Sequence, residues 1–528
     1  MLLLGVLAFF VLSVIAYNRE EQIDNALSKH LRLNKIYPFI ICFFISFLFA
    51  LRLPLSPFNT LIPSTDSSVF LYIGKSMYNG AVPYRDLFDH KGIVLYFIEY
   101  IGYLIGFGHQ DGVWIIELLN AFATSLIFFY ISRLFTKSKI VCFLSSYLAL
   151  YLCSIDFLDP SLCEGGNISE EYALPWIAFS LYIVVKFFLT NEYKKWQIIL
   201  IGVGFAVVFF LRVNMVGLWG ALMLSVLIYF IKNKRILEIF KCFSLFIAGC
   251  LFVVVPVFIY LSITNSFNSM IEYYFIFNFT YTGAPLSGES KNFLFECITF
   301  SGVASFFIVY SFVTNYKNKA VWINFITLVF AFLSANISGR GYRHYAVILF
   351  PFFVIPAVLT MAPFMDKTKE ITIPIVKTKM IMLITYVCMI GIVAYPLWSF
   401  VETLSINNSS NELLDYLEQK TSPDDDVLFL GNHVASYNLS NRSTNNKFFY
   451  QTPPIDVQNE LYEEFINELD NKPSDYIIDV DDLYYDQNNI RLNHQKVIEY
   501  LNKKCEDGLY RCEKYDCFQV FVREQVEQ

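Results

Sequence analysis

Four stretches of the 528-residue chain concentrate side chains able to do chemistry. The first begins Thr65-Asp66-Ser67-Ser68 and continues through Gly80-Ala81-Val82-Pro83-Tyr84-Arg85-Asp86-Leu87-Phe88-Asp89-His90-Lys91-Gly92. The second is Cys163-Glu164-Gly165-Gly166-Asn167-Ile168-Ser169-Glu170-Glu171-Tyr172, with two adjacent glutamates at the mouth of an apolar run. In the third, Phe210-Leu211-Arg212-Val213-Asn214, an arginine interrupts an apolar segment, where an unpaired guanidinium is costly and a partner or anionic ligand is expected. The fourth, Ser338-Gly339-Arg340-Gly341-Tyr342-Arg343-His344-Tyr345, carries three cation-capable side chains between two apolar runs. A lone loop acid is ordinarily a solvated turn residue, and Glu170-Glu171 also reads as a helix cap with Ser169. The inventory is acids (Asp66, Asp86, Asp89, Glu170, Glu171) together with bases (Lys91, Arg212, Arg340, Arg343, His344). It suits a reaction in which a carboxylate accepts the proton of an attacking hydroxyl while cations stabilise charge on a departing phosphate.

The elements that must position these groups are set by composition. Hydrophobic residues make up 56% of the chain and charged residues 16%, against about 25% charged in an ordinary soluble domain. Residues 401–528 hold 25 Asp+Glu and 11 Lys+Arg; the first 400 hold 21 acids and 28 bases. The chain therefore reads as an α-helical polytopic membrane protein with an acidic, soluble C-terminal α/β domain. Crossing about 30 Å of hydrocarbon takes about 20 apolar residues. Apolar runs fall near 1–17, 36–53, 93–108, 113–132, 140–157, 172–190, 198–231, 242–262, 292–313, 321–337, 346–364 and 380–400. The 198–231 run is expected to break at Arg212 and Asn214 into two short helices, which gives about 11 to 13 transmembrane helices. Residues 1–17 lack a basic n-region and a cleavage site, so a retained helix is expected there.

Basic loops at Tyr193–Lys195, Lys232–Arg235, Tyr316–Lys319 and Lys367–Lys379 read as cytoplasmic. The polar stretches and residues 401–528 then lie on the opposite, extracytoplasmic face of an integral plasma (inner) membrane protein. Between the basic 18–35 and Arg133–Lys139 segments the count of crossings comes out odd. One apolar segment between 36 and 132 must be re-entrant, or a further span must lie within 59–92. Domain limits are expected at 1–35 (membrane helix and cytoplasmic linker), 36–400 (transmembrane catalytic domain, first external loop 54–92) and 401–528.

Finer expectations follow. Residues 68–79 read as an interfacial helix capped by Ser67 or Ser68, with Asp66 near its positive end, where an ionised carboxylate is favoured. In the tail, 427–431, 476–480 and 517–523 read as strands and 457–469 and 492–504 as helices. A Cys512–Cys517 disulfide is possible on an oxidising face. No C-x-x-C pair supports a zinc ribbon, the first external loop has no D-x-D to support a divalent metal, and no basic stripe supports nucleic-acid binding. Placing the unusual polar residues at span ends, and not at mid-membrane, argues against a transporter.

On these residues the chain resembles the GT-C superfamily of membrane glycosyltransferases, in particular bacterial proteins similar to protein O-mannosyltransferases and lipid A aminoarabinose transferases (glycosyltransferase family 39-like). The resemblance covers roughly residues 36–400. It implies that Asp66 is the catalytic or acceptor-orienting acid, and that the lysine of Tyr84–Gly92, Lys91, meets a donor phosphate. Ser169–Pro175 resembles the acidic second-site motif and Gly339–Tyr345 a later external motif; Ile93 stands where the family often has proline. The implied activity is transfer of a sugar from a polyprenyl-phosphate-linked donor to a hydroxyl of an envelope glycan, lipid or protein acceptor. Asp66 would be the base of an inverting displacement, Asp89 the alternative base, Glu170 and Glu171 orienting groups. Lys91 would hold the lipid phosphate with Arg212, Arg340, Arg343 or His344. The competing reading is a flippase, polymerase or transporter of envelope glycan intermediates.

Overall fold

The computed structural model describes residues 31–58, 61–151, 165–283, 302–338, 342–365, 412–452, 454–480, 492–515 and 517–524. Its helices are Leu31–Ala50 (α1), Thr65–Tyr78 (α2), Ile93–Ile105 (α3), Asp111–Arg133 (α4), Lys139–Tyr151 (α5) and Ser169–Thr190 (α6). They continue as Lys195–Phe209 (α7), Gly217–Lys232 (α8), Ile236–Ile263 (α9), Gly302–Asn315 (α10), Lys319–Ala335 (α11) and Pro351–Met365 (α12). The C-terminal region adds Glu412–Lys420 (α13), Val434–Ser440 (α14), Asn459–Asn471 (α15) and Leu492–Glu506 (α16), with strands Val427–Phe429 (β1), Tyr476–Val480 (β2), Tyr510–Lys514 (β3) and Phe518–Arg523 (β4). The chain divides into two compact units. One comprises 1–61, 114–255 and 290–406; the other comprises 62–113, 256–289 and 407–528.

The first unit is helical. Among the described residues, four helices are long and apolar enough to cross a membrane: Asp111–Arg133, Ser169–Thr190, Val213–Lys232 and Ile236–Ile263. Four shorter apolar helices accompany them in this unit, and a fifth, Ile93–Ile105, belongs to the second. The expected spans 1–17 and 380–400 lie outside the described residues. The break expected in 198–231 falls at Arg212, whose backbone is extended (φ -164°) between α7 and a 3-10 turn at Val213–Met215. Helices α7 and α9 meet at glycines: a Cβ on Gly202 would stand 2.1 Å from the Phe246 carbonyl oxygen, and one on Gly249 2.0 Å from that of Ile199. Small residues at such crossings let helix backbones touch where apolar burial alone cannot drive association.

In the second unit, α2 packs on α3 and α14. A Cβ on Gly74 would lie 2.4 Å from Glu99 Cβ, so this glycine sets the α2–α3 spacing. One expectation changes here. The helix is capped by Ser64, whose hydroxyl accepts the Ser67 N–H at 3.3 Å, so Asp66 sits inside the first turn instead of before it. Residues Ser67–Gly74 are all buried, so α2 is a packed element of the unit. Helix α3 has 13 residues, a rise of about 20 Å. That falls short of a bilayer core of about 30 Å.

The sheet has strand order β1-β2-β4-β3, with β1 parallel to β2 and the other pairs antiparallel. All three β1 residues are buried, as expected of a strand covered on both faces. Strand β3 was not anticipated, because Tyr-Arg-Cys-Glu-Lys buries only Tyr510 fully. Cys512 stands opposite Phe521, and Cys517 lies at the hairpin end. Both thiols are free, since a cross-strand disulfide needs cysteines facing each other in register.

Candidate active site

In the second unit the loop after α2 is built to present Asp89-His90-Lys91. The Asp86 carboxylate accepts the Val82 N–H at 2.8 Å, and Tyr84 N–H donates to the Leu87 carbonyl at 2.9 Å. Tyr84 adopts a left-handed backbone (φ 65°), which turns its fully buried phenol onto the Lys91 carbonyl at 2.6 Å. Such a conformation costs a non-glycine residue roughly 1–2 kcal/mol, so the loop must be over-determined by its bonds. Tyr96, one turn into α3, accepts the Lys91 N–H and donates to Asp89 Oδ2 at 2.6 Å. Asn278 donates to the His90 carbonyl at 2.7 Å.

Asp89 is 2% exposed. Its second oxygen, Oδ1, accepts the Tyr450 hydroxyl at 2.6 Å, and His90 Nδ1 lies 3.4 Å away. Burial next to this carboxylate pushes the Tyr450 phenol well above its ordinary range, which keeps it a proton donor. With both oxygens taken by short, charge-assisted bonds, Asp89 is a fixed anchor. Lys91 reaches the other way: its Nζ is 3.7 Å from Asp66 Oδ2, the amine nearly buried and the carboxylate side chain 38% exposed. The half-open pair is the part of this cluster that solvent or a substrate can reach. Asp86 lies apart, in an exposed pair with Arg85 at 2.8 Å that holds its carboxyl below the usual 3.8.

In the first unit the adjacent glutamates do different things. Glu170 Oε1 accepts from Arg212 Nη1 at 2.6 Å and Oε2 from the Ser169 hydroxyl at 2.8 Å. The Arg212 guanidinium also donates to the Tyr345 hydroxyl and lies over that ring, 4.1 Å from its centroid. His344 Nε2 is 4.0 Å from Glu170 Oε1, its ring stacked on Tyr342. Arg212 therefore has the partner its position demanded. Glu171 Oε2 instead accepts the Asn167 N–H at 3.0 Å, and Tyr172 clamps the Asn167 side chain at 2.7 Å. Next to it, a Cβ on Gly166 would meet Glu117 Oε1 at 2.7 Å and Glu171 Oε2 at 3.4 Å, so a second buried acid borders the same turn. Ser169 is not the cap; Ile168 occupies that position without a side-chain bond.

Arg340 lies outside the described residues, as does the side chain of Arg343, whose backbone opens a 3-10 turn, Arg343–Leu349. Among the described residues no group of three or more His, Cys, Asp or Glu side chains is placed to hold a metal. Sequence reasoning missed Tyr84, Tyr96, Tyr450, Tyr345 and Glu117. A glutamate inside the apolar α4 run carried its own signal, since a buried acid there is expensive. Tyr450, 361 residues from Asp89, carried none.

Residues 26–402 match the family model of the Ccs4 N-terminal domain, described as a competence-induced protein. The chain belongs to the Ccs4 family. No curated protein matches this Ccs4-family sequence. Among solved structures it is similar to ArnT from Cupriavidus metallidurans in the apo state, at 12% identity and TM-score 0.59, covering 93% of this chain and 98% of that one. The same ArnT bound to undecaprenyl phosphate matches with TM-score 0.58 over the same shares. The Ccs4-family chain thus has the GT-C fold, with a small C-terminal sheet.

Proposed function

We propose that the chain is an integral membrane glycosyltransferase that moves a sugar from a polyprenyl-phosphate-linked donor to a hydroxyl of an envelope or exported acceptor at the extracytoplasmic face. The observation that carries this reading is the Asp66–Lys91 pair at 3.7 Å, presented by a loop whose other polar groups are already bonded. Asp66 accepts the proton of the acceptor hydroxyl as that oxygen attacks the anomeric carbon. The bond from that carbon to the phosphate oxygen breaks, its electron pair leaves with the polyprenyl phosphate, and Lys91 meets the charge. Inversion follows from the single displacement. Asp89 anchors the lysine and Glu170 holds Arg212. Arg340, Arg343 and His344 are phosphate ligands by chemistry, each to be tested by its own alanine variant. The ligand named for the similar ArnT structure, undecaprenyl phosphate, supports a donor of this class.

The test uses full-length protein in nanodiscs. Wild type should bind undecaprenyl phosphate, and Lys91→Ala should weaken binding at least about tenfold, the loss of a charged bond. Asp66→Asn should keep binding and lose transfer from undecaprenyl-phosphate-linked sugars by about 100-fold or more. Product configuration is read by NMR. Full activity in Asp66→Asn, or a retained anomeric configuration, would overturn the mechanism. Binding and lipid movement without any bond transfer would favour the transporter reading.

A further inference from the structure

We propose that the stretch Thr444–Tyr450 of the C-terminal region is a working part of the Asp66–Lys91 site: it holds both members of the pair at their spacing, with Tyr450 as the positioning residue for Asp89-His90-Lys91. This rests on the reading of Asp66 and Lys91 given above. On the Asp66 side, the Tyr72 hydroxyl of α2 donates to the Thr444 carbonyl at 3.3 Å and accepts the Thr444 N–H at 3.0 Å. The Tyr72 ring stacks 4.5 Å from Phe449 and 4.6 Å from Tyr437. Asn438 donates to the Ser68 carbonyl at 3.3 Å, and Lys75 to Asn441 at 2.6 Å. The helix that carries Asp66 is thereby fixed along its length.

On the Lys91 side, the Phe88 N–H donates to the Lys447 carbonyl at 2.9 Å, and the Phe88 ring stacks 5.2 Å from Phe448. Tyr450 then closes on Asp89 Oδ1 at 2.6 Å. Lys447 is itself tied to Glu464 at 2.7 Å and to the Tyr273 hydroxyl at 2.5 Å. The stretch is stiff: the Thr444 hydroxyl accepts the Asn446 N–H, Asn446 accepts the Phe448 N–H, and Gln451 donates to the Phe448 carbonyl at 2.7 Å. A rigid turn bonded to the neighbours of both Asp66 and Lys91 fixes the distance between them. An appended lid would need neither the Asp89 bond nor the Thr444 pair.

Tyr450→Phe keeps the ring and removes the hydroxyl. In the full-length protein we expect amide exchange of residues 86–92 to speed by about tenfold or more, as local opening becomes easier, while the thermal midpoint stays within a few degrees. With an undecaprenyl-phosphate-linked sugar, kcat should fall about tenfold or more while KM changes less than about threefold, because what is lost is alignment at the reacting atoms. A purely structural role would lower the midpoint and leave kcat per folded molecule unchanged. If Tyr450→Phe does not fold, Tyr72→Phe serves: its stacking survives, exchange of 65–72 should speed, and kcat should fall likewise. Wild-type exchange at 86–92 together with wild-type kcat in Tyr450→Phe would overturn the proposal. Faster exchange at 86–92 in a protein whose wild type binds no undecaprenyl phosphate would uphold the positioning and sink the donor reading alone.

Discussion

Gly74→Ala tests the claim that helix spacing sets the site. The new methyl would stand 2.4 Å from Glu99 Cβ, 3.0 Å from its carbonyl carbon and 3.2 Å from its Cα. Carbon atoms in good contact are about 3.5–4.0 Å apart, so α2 and α3 must part by more than about 1 Å. None of the atoms met is the free end of a flexible side chain, so a rotamer change cannot relieve the clash. Overpacking of this kind costs about 1–3 kcal/mol, while replacing glycine inside a helix returns about 0.5–1 kcal/mol. The overpacking wins. We expect a net loss of about 1–2 kcal/mol, read as a lower thermal midpoint in detergent. Asp66 rides on the same helix, two turns earlier, and its 3.7 Å approach to Lys91 should lengthen by a similar amount. The attraction lost is small, below about 1 kcal/mol for a pair this exposed. The effect on rate is not small, because a misplacement of about 1 Å can cost about 100-fold. Gly74→Ala should therefore lose far more transfer than stability. A variant with the wild-type midpoint and wild-type turnover would refute both the spacing argument and the role of the pair.

The other predictions concern stability. Arg212→Met leaves the Glu170 carboxylate, 2% exposed, without its cation and should cost about 3–5 kcal/mol; Arg212→Met with Glu170→Gln should recover most of it, as thermal unfolding will show. Gly166→Ala combines a backbone at φ 88° with contacts of 2.7 Å to Glu117 Oε1 and 2.8 Å to Leu53 Cδ2, and should lower the midpoint by several degrees. Asp86 is held below 3.8 by Arg85, so its contribution is present above that pH and lost as pH falls through the lower folded value. Wild type should accordingly lose a small increment of stability between pH 5 and about 3 that Asp86→Asn lacks at both; equal pH slopes would contradict the assignment.

How far the site could be read from sequence depended on whether each signal was local. Arg212 sits in an apolar run, and that alone demanded a partner; Glu170 and Tyr345 supply it. Asp66 and Lys91 were legible as residue types, and the structure brings them together. The cap was misplaced by three or four residues because Ser64, Ser67 and Ser68 are all side chains able to cap a helix, and the structure uses Ser64. Glu170 and Glu171 looked like one acidic motif. Consecutive residues of a helix point about 100° apart, so each meets its own surroundings: an arginine for one, a glycine-bordered turn for the other.

The role of Asp89 shows where sequence reading stops. Beside His90 and Lys91 it has the composition of a base, and nothing within the motif distinguishes it from Asp66. The distinction comes from two phenols, one on the next helix and one 361 residues away. A carboxylate whose oxygens each accept a 2.6 Å hydrogen bond would have to break a strong contact before taking a proton from an acceptor, whereas the Asp66 side chain is 38% exposed and stands 3.7 Å from Lys91 Nζ. On the proposed mechanism, the base is chosen by what the neighbouring acid is already bound to, and a side chain that holds that neighbour, Tyr450, comes from the C-terminal region.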